Sequence, residues 1–242
     1  MQGYLSLLKI KRLPTTWCPG CGNGLVIKAL IQVMESNNLN KKNTVIVSGI
    51  GCVGRTTGYL KLDSIHTLHG RAIPVAEGIK TANPKLNVFV VSGDGDLLAI
   101  GGNHLLHASR RKTNIKVICV NNRIYGMTGG QASPATPKKT VTTTTPKGNE
   151  FEEINTQAIV TSNKNFFARS TVFHLDHLKK MIKKSLENKD FSFIEVISNC
   201  YPGYGKKLGF TSNYEMLMDF KKKFENQKNK SILKKNELGF LK

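Results

Sequence analysis

Short, nearly continuous runs of apolar residues recur along the chain and predict buried β-strands. Four of these runs are rich in β-branched and aromatic residues, and they lie at residues 44–50, 88–92, 115–120 and 191–197. Strands that are covered on both faces show continuous apolar runs, whereas strands with one solvated face alternate between apolar and polar residues. The pattern therefore predicts a sheet that is buried on both sides.

Between these runs, apolar residues return every three or four positions, which is the period of a helix. One such stripe covers residues 25–34, a second helix is predicted at 97–111, and a third stripe covers 175–186 with lysines on its other side. Strands that alternate with helices favour a parallel sheet with helices packed on it. We therefore predict an α/β fold with a mostly parallel sheet flanked by helices.

Two segments depart from this alternation. Residues 132–149 are rich in Thr, Pro and Lys and are predicted to form a long loop, a feature that usually has a function. Residues 206–242 contain ten lysines against four acidic residues and are predicted to form a basic, helical C-terminal arm. We therefore expect one domain over residues 1–205, followed by the arm at 206–242.

Composition narrows the class of protein. No apolar run approaches the roughly 20 residues that span a bilayer, so we expect a cytoplasmic protein with no membrane partner. Five cysteines are an odd count for a disulfide framework. The net charge of +20 would attract nucleic acid or an acidic protein, but no zinc-finger pattern, aromatic RNA-binding motif or basic heptad accompanies it. We therefore expect no nucleic-acid partner.

Glycine-rich and polar sequences follow three of the predicted strands. They are SGIGCVGR at residues 48–55, SGDGD at 92–96 and VNNRIYGMTGGQ at 120–131. In an open parallel sheet, the carboxyl ends of the strands meet at one edge, and ligands bind there. We expect these three sequences to converge on one site.

The chemistry of Asp94 suggests what that site binds. Glycine on both sides lets the backbone approach a ligand closely, and the N–H groups at the start of the next helix suit an anion. Asp94 would repel a phosphate unless a divalent cation lay between them. Magnesium prefers oxygen ligands, which Asn122 could supply from its amide and Ile124 from its carbonyl. These residues predict a site for a magnesium-bridged diphosphate. The alternative is that Asp94 and Asn122 lie in ordinary tight turns with their side chains in solvent.

Four cysteines raise a separate question. Cys18 and Cys21 share one loop, while Cys52 and Cys200 arrive singly and far apart in sequence. A disulfide, a zinc ion, a redox-active dithiol or an iron–sulfur cluster could explain the pair Cys18 and Cys21. Zinc sites usually offer two short paired motifs, and a dithiol would leave Cys52 without a role. Cys119 lies inside an apolar strand and is predicted to be an ordinary buried thiol.

These motifs resemble a known family. A GDG followed, after a helix and a strand, by NN is similar to the thiamine-diphosphate signature. Three longer stretches resemble a narrower family, the β subunits of 2-oxoacid:ferredoxin oxidoreductases, and especially those acting on 2-oxoglutarate. These stretches are SGDGDLLAIGGNHLLHASRR, NNRIYGMTGGQASPATP and HTLHGRAIPVAEGIKTANP. The resemblance runs from Trp17 to about Pro137 and resumes near Cys200. It implies the thiamine-diphosphate-binding fold and CoA-dependent oxidative decarboxylation of a 2-oxoacid, with electrons passed to ferredoxin.

The resemblance also implies roles for individual residues. Asp94, Asn122 and the carbonyl of Ile124 would bind Mg²⁺, and Cys18, Cys21, Cys52 and Cys200 would bind a [4Fe–4S] cluster. The lining of the thiamine-diphosphate site would comprise Ile50, Gly51, Cys52, Val53, His69, Gly93, Gly95, Asp96, Gly126 and Met127. Arg55 would lie near the far carboxylate of the substrate, within a CVGR sequence that differs from the family's CSSR at two positions.

Partners and alternatives follow from the same resemblance. No catalytic residue is assigned with certainty in this chain, because the glutamate that activates thiamine is implied on a partner α subunit, with γ and δ subunits left open. We therefore expect a hetero-oligomer. Arg55 favours 2-oxoglutarate as the substrate, and pyruvate or a branched 2-oxoacid is the alternative. A non-redox thiamine-dependent decarboxylase or synthase, and a basic nucleic-acid-binding or zinc structural protein, are the other candidate classes.

Overall fold

The computed structural model describes residues 6–228 and 230–242. Its α-helices are α1 Asn23–Ser36, α2 Thr56–Tyr59, α3 Ala72–Ala82, α4 Gly102–Arg111, α5 Thr156–Thr161, α6 Leu175–Glu187 and α7 Asn213–Lys223. Its strands are β1 Thr44–Ser48, β2 Asp63–His66, β3 Asn87–Gly93, β4 Lys116–Asn121, β5 Ile124–Tyr125, β6 Gln131–Ala132, β7 Phe166–Thr171, β8 Ser192–Ile197, β9 Glu225–Asn226 and β10 Glu237–Leu241. A π-helix covers Gly95–Ile100, and short 3₁₀ turns cover Ile10–Arg12, Val53–Arg55 and Gly205–Leu208.

Eight strands form one sheet in the order β2-β1-β3-β4-β8-β7-β10-β9. The first six of these strands run parallel, and β10 joins β7 in the antiparallel direction. The remaining two strands, β5 and β6, form a separate small hairpin. The predicted mostly parallel sheet is therefore confirmed.

The core lies on both faces of this sheet. Ile46 belongs to a hydrophobic cluster with residues of α1 and α6, whereas its neighbours Val45 and Val47 belong to a second cluster with residues of α3 and α4. Such alternation places helices on both sides, as the continuous apolar strands predict. The four predicted strands correspond to β1, β3, β4 and β8.

The predicted helix at 97–111 is interrupted, and this expectation is corrected. Its first part is the π-helix, in which the N–H of Gly101 donates to the carbonyl of Asp96 over 3.1 Å. A β-carbon at Gly101 would lie 2.4 Å from that carbonyl oxygen, so only glycine fits there. Wide turns of this kind are frequent at functional sites.

The C-terminal arm contains one helix, α7, but its end returns to the sheet. Residues 239–241 pair with 167–169 of β7, and Leu238 and Leu241 are buried in the core. The lysine-rich composition of the arm does not reveal this strand. The boundary between the domain and the arm, between residues 205 and 206, stays a prediction. Residues 1–5 of the predicted domain lie outside the described part of the chain.

The strand ends that matter for function are neighbours. β1 ends at Ser48, β3 at Gly93 and β4 at Asn121, and the three strands are adjacent and parallel. The three polar sequences therefore start from one edge of the sheet, as expected. Within residues 6–228 and 230–242, no helix has the length and apolar character needed to cross a membrane.

Candidate functional site

Asp96 is a buried carboxylate that ties together the loop after β1, the loop after β2 and strand β3 at this edge. Its Oδ1 accepts hydrogen bonds from the backbone N–H groups of Ile50 (3.1 Å) and Gly70 (2.7 Å) and from Nδ1 of His69 (2.7 Å). Its Oδ2 accepts one from the hydroxyl of Ser92 (2.8 Å). With four donors already bound, the carboxylate is well satisfied, so Asp96 shapes the site chiefly by holding its loops.

Asp94 is equally buried but has a different environment. Its Oδ2 accepts a hydrogen bond from the hydroxyl of Ser133, and backbone N–H groups of Asn122 and Gly95 also support the carboxylate. Burial nevertheless raises the pKa of Asp94 to about 6, because desolvation outweighs these hydrogen bonds. A divalent cation beside Asp94 would stabilise the charged form.

A cavity of about 140 Å³, here called the inner cavity, opens between these carboxylates and the loop after β1. It is lined by Ile50, Gly51, Cys52, Val53, His69, Gly93, Asp94, Gly95, Asp96, Asn122, Ile124, Tyr125, Gly126, Met127 and Thr128. The structure thus brings together every residue with a predicted role in thiamine-diphosphate or magnesium binding. Their binding roles stay predictions.

Tyr125, Thr128 and Ser133 are members of the site that the sequence pattern does not reveal. The hydroxyl of Tyr125 donates to the carbonyl of Gly95 (3.1 Å), and a β-carbon at Gly95 would lie 2.2 Å from the tyrosine ring. This close packing explains the glycine. Ser133 lies in the predicted loop at 132–149, and its contact with Asp94 depends on tertiary structure alone.

A second cavity, of about 230 Å³ and here called the cysteine cavity, lies beside the first. It is lined by Thr16, Trp17, Cys18, Cys21, Asn23, Cys52, Arg55, Asn122, Gly126, Met127, Asn199, Cys200, Tyr201, Pro202 and Asn213. Four of these residues, Cys52, Asn122, Gly126 and Met127, also line the inner cavity. The two cavities therefore share a wall.

The four predicted ligand cysteines are all in the cysteine cavity, whereas Cys119 is fully buried in β4. Burial raises the pKa of Cys21 to about 11, and burial also raises the pKa of Cys52 and Cys200. Such thiols ionise only beside a strong positive charge, such as that of a metal. In the described part of the chain, no three His, Cys, Asp or Glu side chains are grouped closely enough to hold a single metal ion.

Side chains from two distant segments hold the Cys18–Cys21 loop. Asn213, the first residue of α7, donates to the carbonyl of Pro19 (2.6 Å), and Asn199 donates to the carbonyl of Gly20 (2.9 Å). Asn199 also donates to the side-chain oxygen of Asn213 (2.7 Å). The C-terminal arm therefore supports the cysteine cavity, a role that its lysine-rich composition does not indicate.

Replacing Asn213 with alanine should loosen this loop, because the Pro19 carbonyl and Asn199 each lose a hydrogen-bond partner. We expect the free energy of unfolding to fall by about 1–2 kcal/mol. Tyr214→Ala is the matched control, since the Tyr214 side chain is on the same helical turn and is 71% exposed. Denaturant unfolding of both variants checks this, and an Asn213→Ala variant as stable as the control would contradict it.

Arg55 does not line the inner cavity. Its Nη1 donates to the hydroxyl of Thr16 (2.8 Å), and the side chain borders the cysteine cavity instead. Its predicted place near the far carboxylate of a substrate stays a prediction.

The part of the chain that forms the inner cavity is similar to a known protein family. The family described as thiamine pyrophosphate enzyme, C-terminal TPP binding domain, matches residues 45–196, which include β3, β4 and all but one residue each of β1 and β8. This range carries Asp94, Asn122 and the loop after β1, so the inner cavity lies within the matched region.

Similar proteins include subunit KorB of the 2-oxoglutarate synthase from Methanothermobacter marburgensis, 45% identical over 93% of this chain and 79% of that protein. The 2-oxoacid:ferredoxin oxidoreductase subunit beta from Saccharolobus solfataricus is 38% identical over 92% of this chain and 78% of that protein. Among solved structures, 2-oxoglutarate:ferredoxin oxidoreductase from Magnetococcus marinus, with 2-oxoglutarate, coenzyme A and succinyl-CoA bound, matches with a TM-score of 0.87 and 27% identity. That match covers 98% of this chain and 84% of the other.

Proposed function

The chain belongs to the β subunits of the thiamine-diphosphate-dependent 2-oxoacid:ferredoxin oxidoreductases, and from this premise we propose that it holds both magnesium-bound thiamine diphosphate and a [4Fe–4S] cluster. The observation that carries the proposal is the shared wall between the inner cavity and the cysteine cavity. A reaction that passes electrons from an organic cofactor to an inorganic cluster needs the two to lie close together. The shared wall satisfies that requirement within one chain.

The inner cavity fits a magnesium-bound diphosphate. Asp94 is a buried carboxylate with no ion-pair partner among the described residues, and Asn122 and Ile124 supply neutral oxygens around the same cavity. Gly51 has a φ of +117° and a β-carbon there would meet open space, so the backbone can approach a ligand closely. Asp94, Asn122 and the Ile124 carbonyl would hold the cation.

The cysteine cavity fits a cluster better than it fits zinc. Two thiolates on one zinc ion lie only about 3.8 Å apart, given Zn–S bonds of about 2.3 Å. In a [4Fe–4S] cluster each thiolate binds a separate iron, so the ligands are spread more widely. Cys18, Cys21, Cys52 and Cys200 surround one cavity without forming a single-ion group in the described residues. They would hold the cluster.

Thiamine diphosphate, when bound, supplies the electron sink for loss of carbon dioxide from a 2-oxoacid. The residues of this chain orient and enclose it. Asp96 accepts a hydrogen bond from Nδ1 of His69 and so fixes the orientation of the ring. The other ring nitrogen, Nε2, has no hydrogen-bond partner among the described residues and is available to a ligand in the cavity that His69 lines. Cys52 and Met127 form part of the wall between the two cofactor sites.

The residues at the mouth of the inner cavity indicate that a partner subunit covers it. Ile50 and Met127 line the cavity and are 40% and 42% exposed, and Leu68, beside His69, is 78% exposed. Exposed apolar residues grouped at a site commonly mark a protein interface. An α subunit that covers this mouth would complete the thiamine site and supply the activating glutamate, which makes the enzyme a hetero-oligomer.

The substrates are proposed from the relatives. Similar proteins are named for 2-oxoglutarate or for 2-oxoacids in general, and the matched structure contains 2-oxoglutarate, coenzyme A and succinyl-CoA. We therefore assign 2-oxoglutarate as the substrate, CoA as the acyl acceptor and ferredoxin as the electron acceptor. Pyruvate and branched 2-oxoacids are the alternatives within the same reaction.

Assays of the chain alone and co-expressed with its α subunit test this function. The chain alone should show no CoA-dependent reduction of ferredoxin, because half of the thiamine site is on the partner, whereas the complex should be active and prefer 2-oxoglutarate over pyruvate. Full activity of the isolated chain would contradict the proposal. Activity that released an aldehyde or another non-oxidised product, without reducing ferredoxin, would favour a non-redox thiamine enzyme instead.

A further inference from the structure

Trp17, the one tryptophan in the sequence, lies in the wall of the cysteine cavity and directly precedes Cys18. Its side chain is buried, and its indole Nε1 donates a hydrogen bond to the backbone carbonyl of Cys52 over 2.6 Å. Trp17 therefore joins the loop that carries Cys18 and Cys21 to the turn that carries Cys52.

The carbonyl that Trp17 binds belongs to the cysteine between the two cofactor sites. Of the four cavity cysteines, all in the described part of the chain, Cys52 alone lines both cavities. Its carbonyl also accepts from the N–H of Arg55 at the longer distance of 3.4 Å, at the start of the 3₁₀ turn Val53–Arg55. The shorter bond from Trp17 is the stronger of the two, so the indole largely determines the orientation of the peptide group that follows Cys52.

Tyr59 holds the loop around Trp17 without a hydrogen bond to Cys52 in the described residues. The two aromatic rings pack with their centroids 4.9 Å apart and their planes tilted by 59°. The hydroxyl of Tyr59 accepts a hydrogen bond from the backbone N–H of Thr16 (2.8 Å) and lies 3.0 Å from the Thr16 hydroxyl oxygen. Tyr59 therefore supports the position of Trp17, whereas Trp17 itself reaches the ligand-bearing turn.

The identity of the acceptor gives this hydrogen bond a chemical consequence. A buried indole N–H usually finds some acceptor, so a bond of this kind is by itself ordinary. Here the acceptor is the backbone of a proposed cluster ligand, and the potential of an iron–sulfur cluster depends on nearby hydrogen bonds and charge. Reduction adds negative charge to a cluster. The N–H offsets the partial negative charge of the Cys52 carbonyl, so it favours the reduced form.

We propose that Trp17 is a positioning residue for the electron-accepting cluster, which holds the Cys52 carbonyl through its indole N–H and thereby raises the reduction potential. This inference rests on the proposed function. A higher potential makes the cluster a better acceptor for electrons that arrive from the inner cavity, on the other side of Cys52. Trp17 acts through Cys52 and lines the cysteine cavity alone.

Two substitutions of Trp17 in the assembled α–β complex separate the N–H from the bulk of the ring. Trp17→Phe keeps an aromatic ring against Tyr59 but removes the donor. Trp17→His removes bulk but keeps a donor, because Nε2 of the imidazole has the same place in its five-membered ring as Nε1 of the indole. At about pH 8 the histidine is neutral, so it adds no charge. Tyr59→Phe is the control for a loosened loop, since it removes the hydroxyl that binds Thr16.

The reduction potential is measured by redox titration of the anaerobic complexes, followed by electron paramagnetic resonance, with iron content and denaturant unfolding measured beside it. At a fixed potential, Trp17→Phe should lower the ratio of reduced to oxidised cluster about three- to tenfold. This corresponds to a potential lower by about 30–60 mV, at about 59 mV per tenfold for one electron. Trp17→His should stay within about twofold of the wild-type ratio, and so should Tyr59→Phe.

The pattern across the variants decides the role of Trp17. A potential unchanged in Trp17→Phe would overturn the proposal, and so would equal shifts in Trp17→Phe and Trp17→His, or in Trp17→Phe and Tyr59→Phe. If Trp17→Phe holds no iron, retention of iron by Trp17→His would support the role of the donor, whereas loss from both would show that only packing matters. A wild-type complex without iron would contradict the proposed function itself, whereas a cluster-bearing complex with an unchanged potential would overturn only the role of Trp17.

Discussion

Replacing Asp94 with asparagine is expected to weaken magnesium-dependent retention of thiamine diphosphate by at least about 100-fold, since breaking a buried charge pair costs several kcal/mol. Asparagine keeps the shape of the side chain and can still accept the hydrogen bond from Ser133, so the fold should survive. What the variant loses is the negative charge that attracts Mg²⁺. Equilibrium dialysis of thiamine diphosphate at several magnesium concentrations, with the assembled complex, measures the effect.

Asp96→Asn is the matched control for Asp94→Asn. The amide oxygen of asparagine can still accept from Ile50, Gly70 and His69, and its NH₂ group can donate to the hydroxyl of Ser92. This variant removes a nearby charge without removing a proposed magnesium ligand and keeps the hydrogen bonds that hold the cofactor cavity in shape, so we expect a much smaller loss of cofactor. Equal losses from the two variants would contradict direct binding of the cation by Asp94.

Alanine at any one of Cys18, Cys21, Cys52 or Cys200 is expected to remove the iron–sulfur cluster, and with it all reduction of ferredoxin. Each of the four thiolates binds a separate iron in a [4Fe–4S] cluster, so three ligands leave one corner open to solvent. Iron, acid-labile sulfide and the visible absorption of anaerobically purified complex measure the outcome. We expect the wild-type protein to be brown and every one of the four variants to be depleted in iron.

Cys119→Ala provides the control for these variants. Cys119 is fully buried in β4 and does not line the cysteine cavity, so its loss should lower stability through a small packing defect and leave the iron content unchanged. Loss of iron from Cys119→Ala, or retention of iron after two of the four cavity cysteines are replaced, would contradict the proposed ligand set. Stoichiometric zinc in place of iron would do the same.

The central sheet is predictable from sequence because its strands are buried on both faces. Residues 115–120 and 191–197 together contain ten apolar side chains among thirteen, and such nearly continuous apolar runs are typical of a parallel sheet. The strand at Asp63–His66 is not predictable in the same way, because it lies at the sheet edge and all but one of its residues are exposed. The strand at Glu237–Leu241 follows a lysine-rich segment, and only tertiary pairing with β7 distinguishes it from a surface tail.

The candidate site is predictable where its residues lie at the ends of strands. Asp94 and Asn122 follow adjacent strands, so their proximity follows from the topology alone. Ser133 is different, because it reaches Asp94 from a long loop whose sequence does not indicate a direction. The π-helix is also invisible in the sequence, since it depends on the loops that converge on Asp96 from elsewhere in the chain.

Low-temperature electron paramagnetic resonance of the anaerobic complex tests the central claim most directly, because it asks whether the two cavities hold cofactors that exchange electrons. With Mg²⁺ and thiamine diphosphate present, and CoA and ferredoxin absent, addition of 2-oxoglutarate should produce the signal of a reduced [4Fe–4S] cluster. The same addition to Asp94→Asn should produce none. A complex that contains thiamine diphosphate and consumes 2-oxoglutarate, yet shows no reduced cluster, would contradict the account.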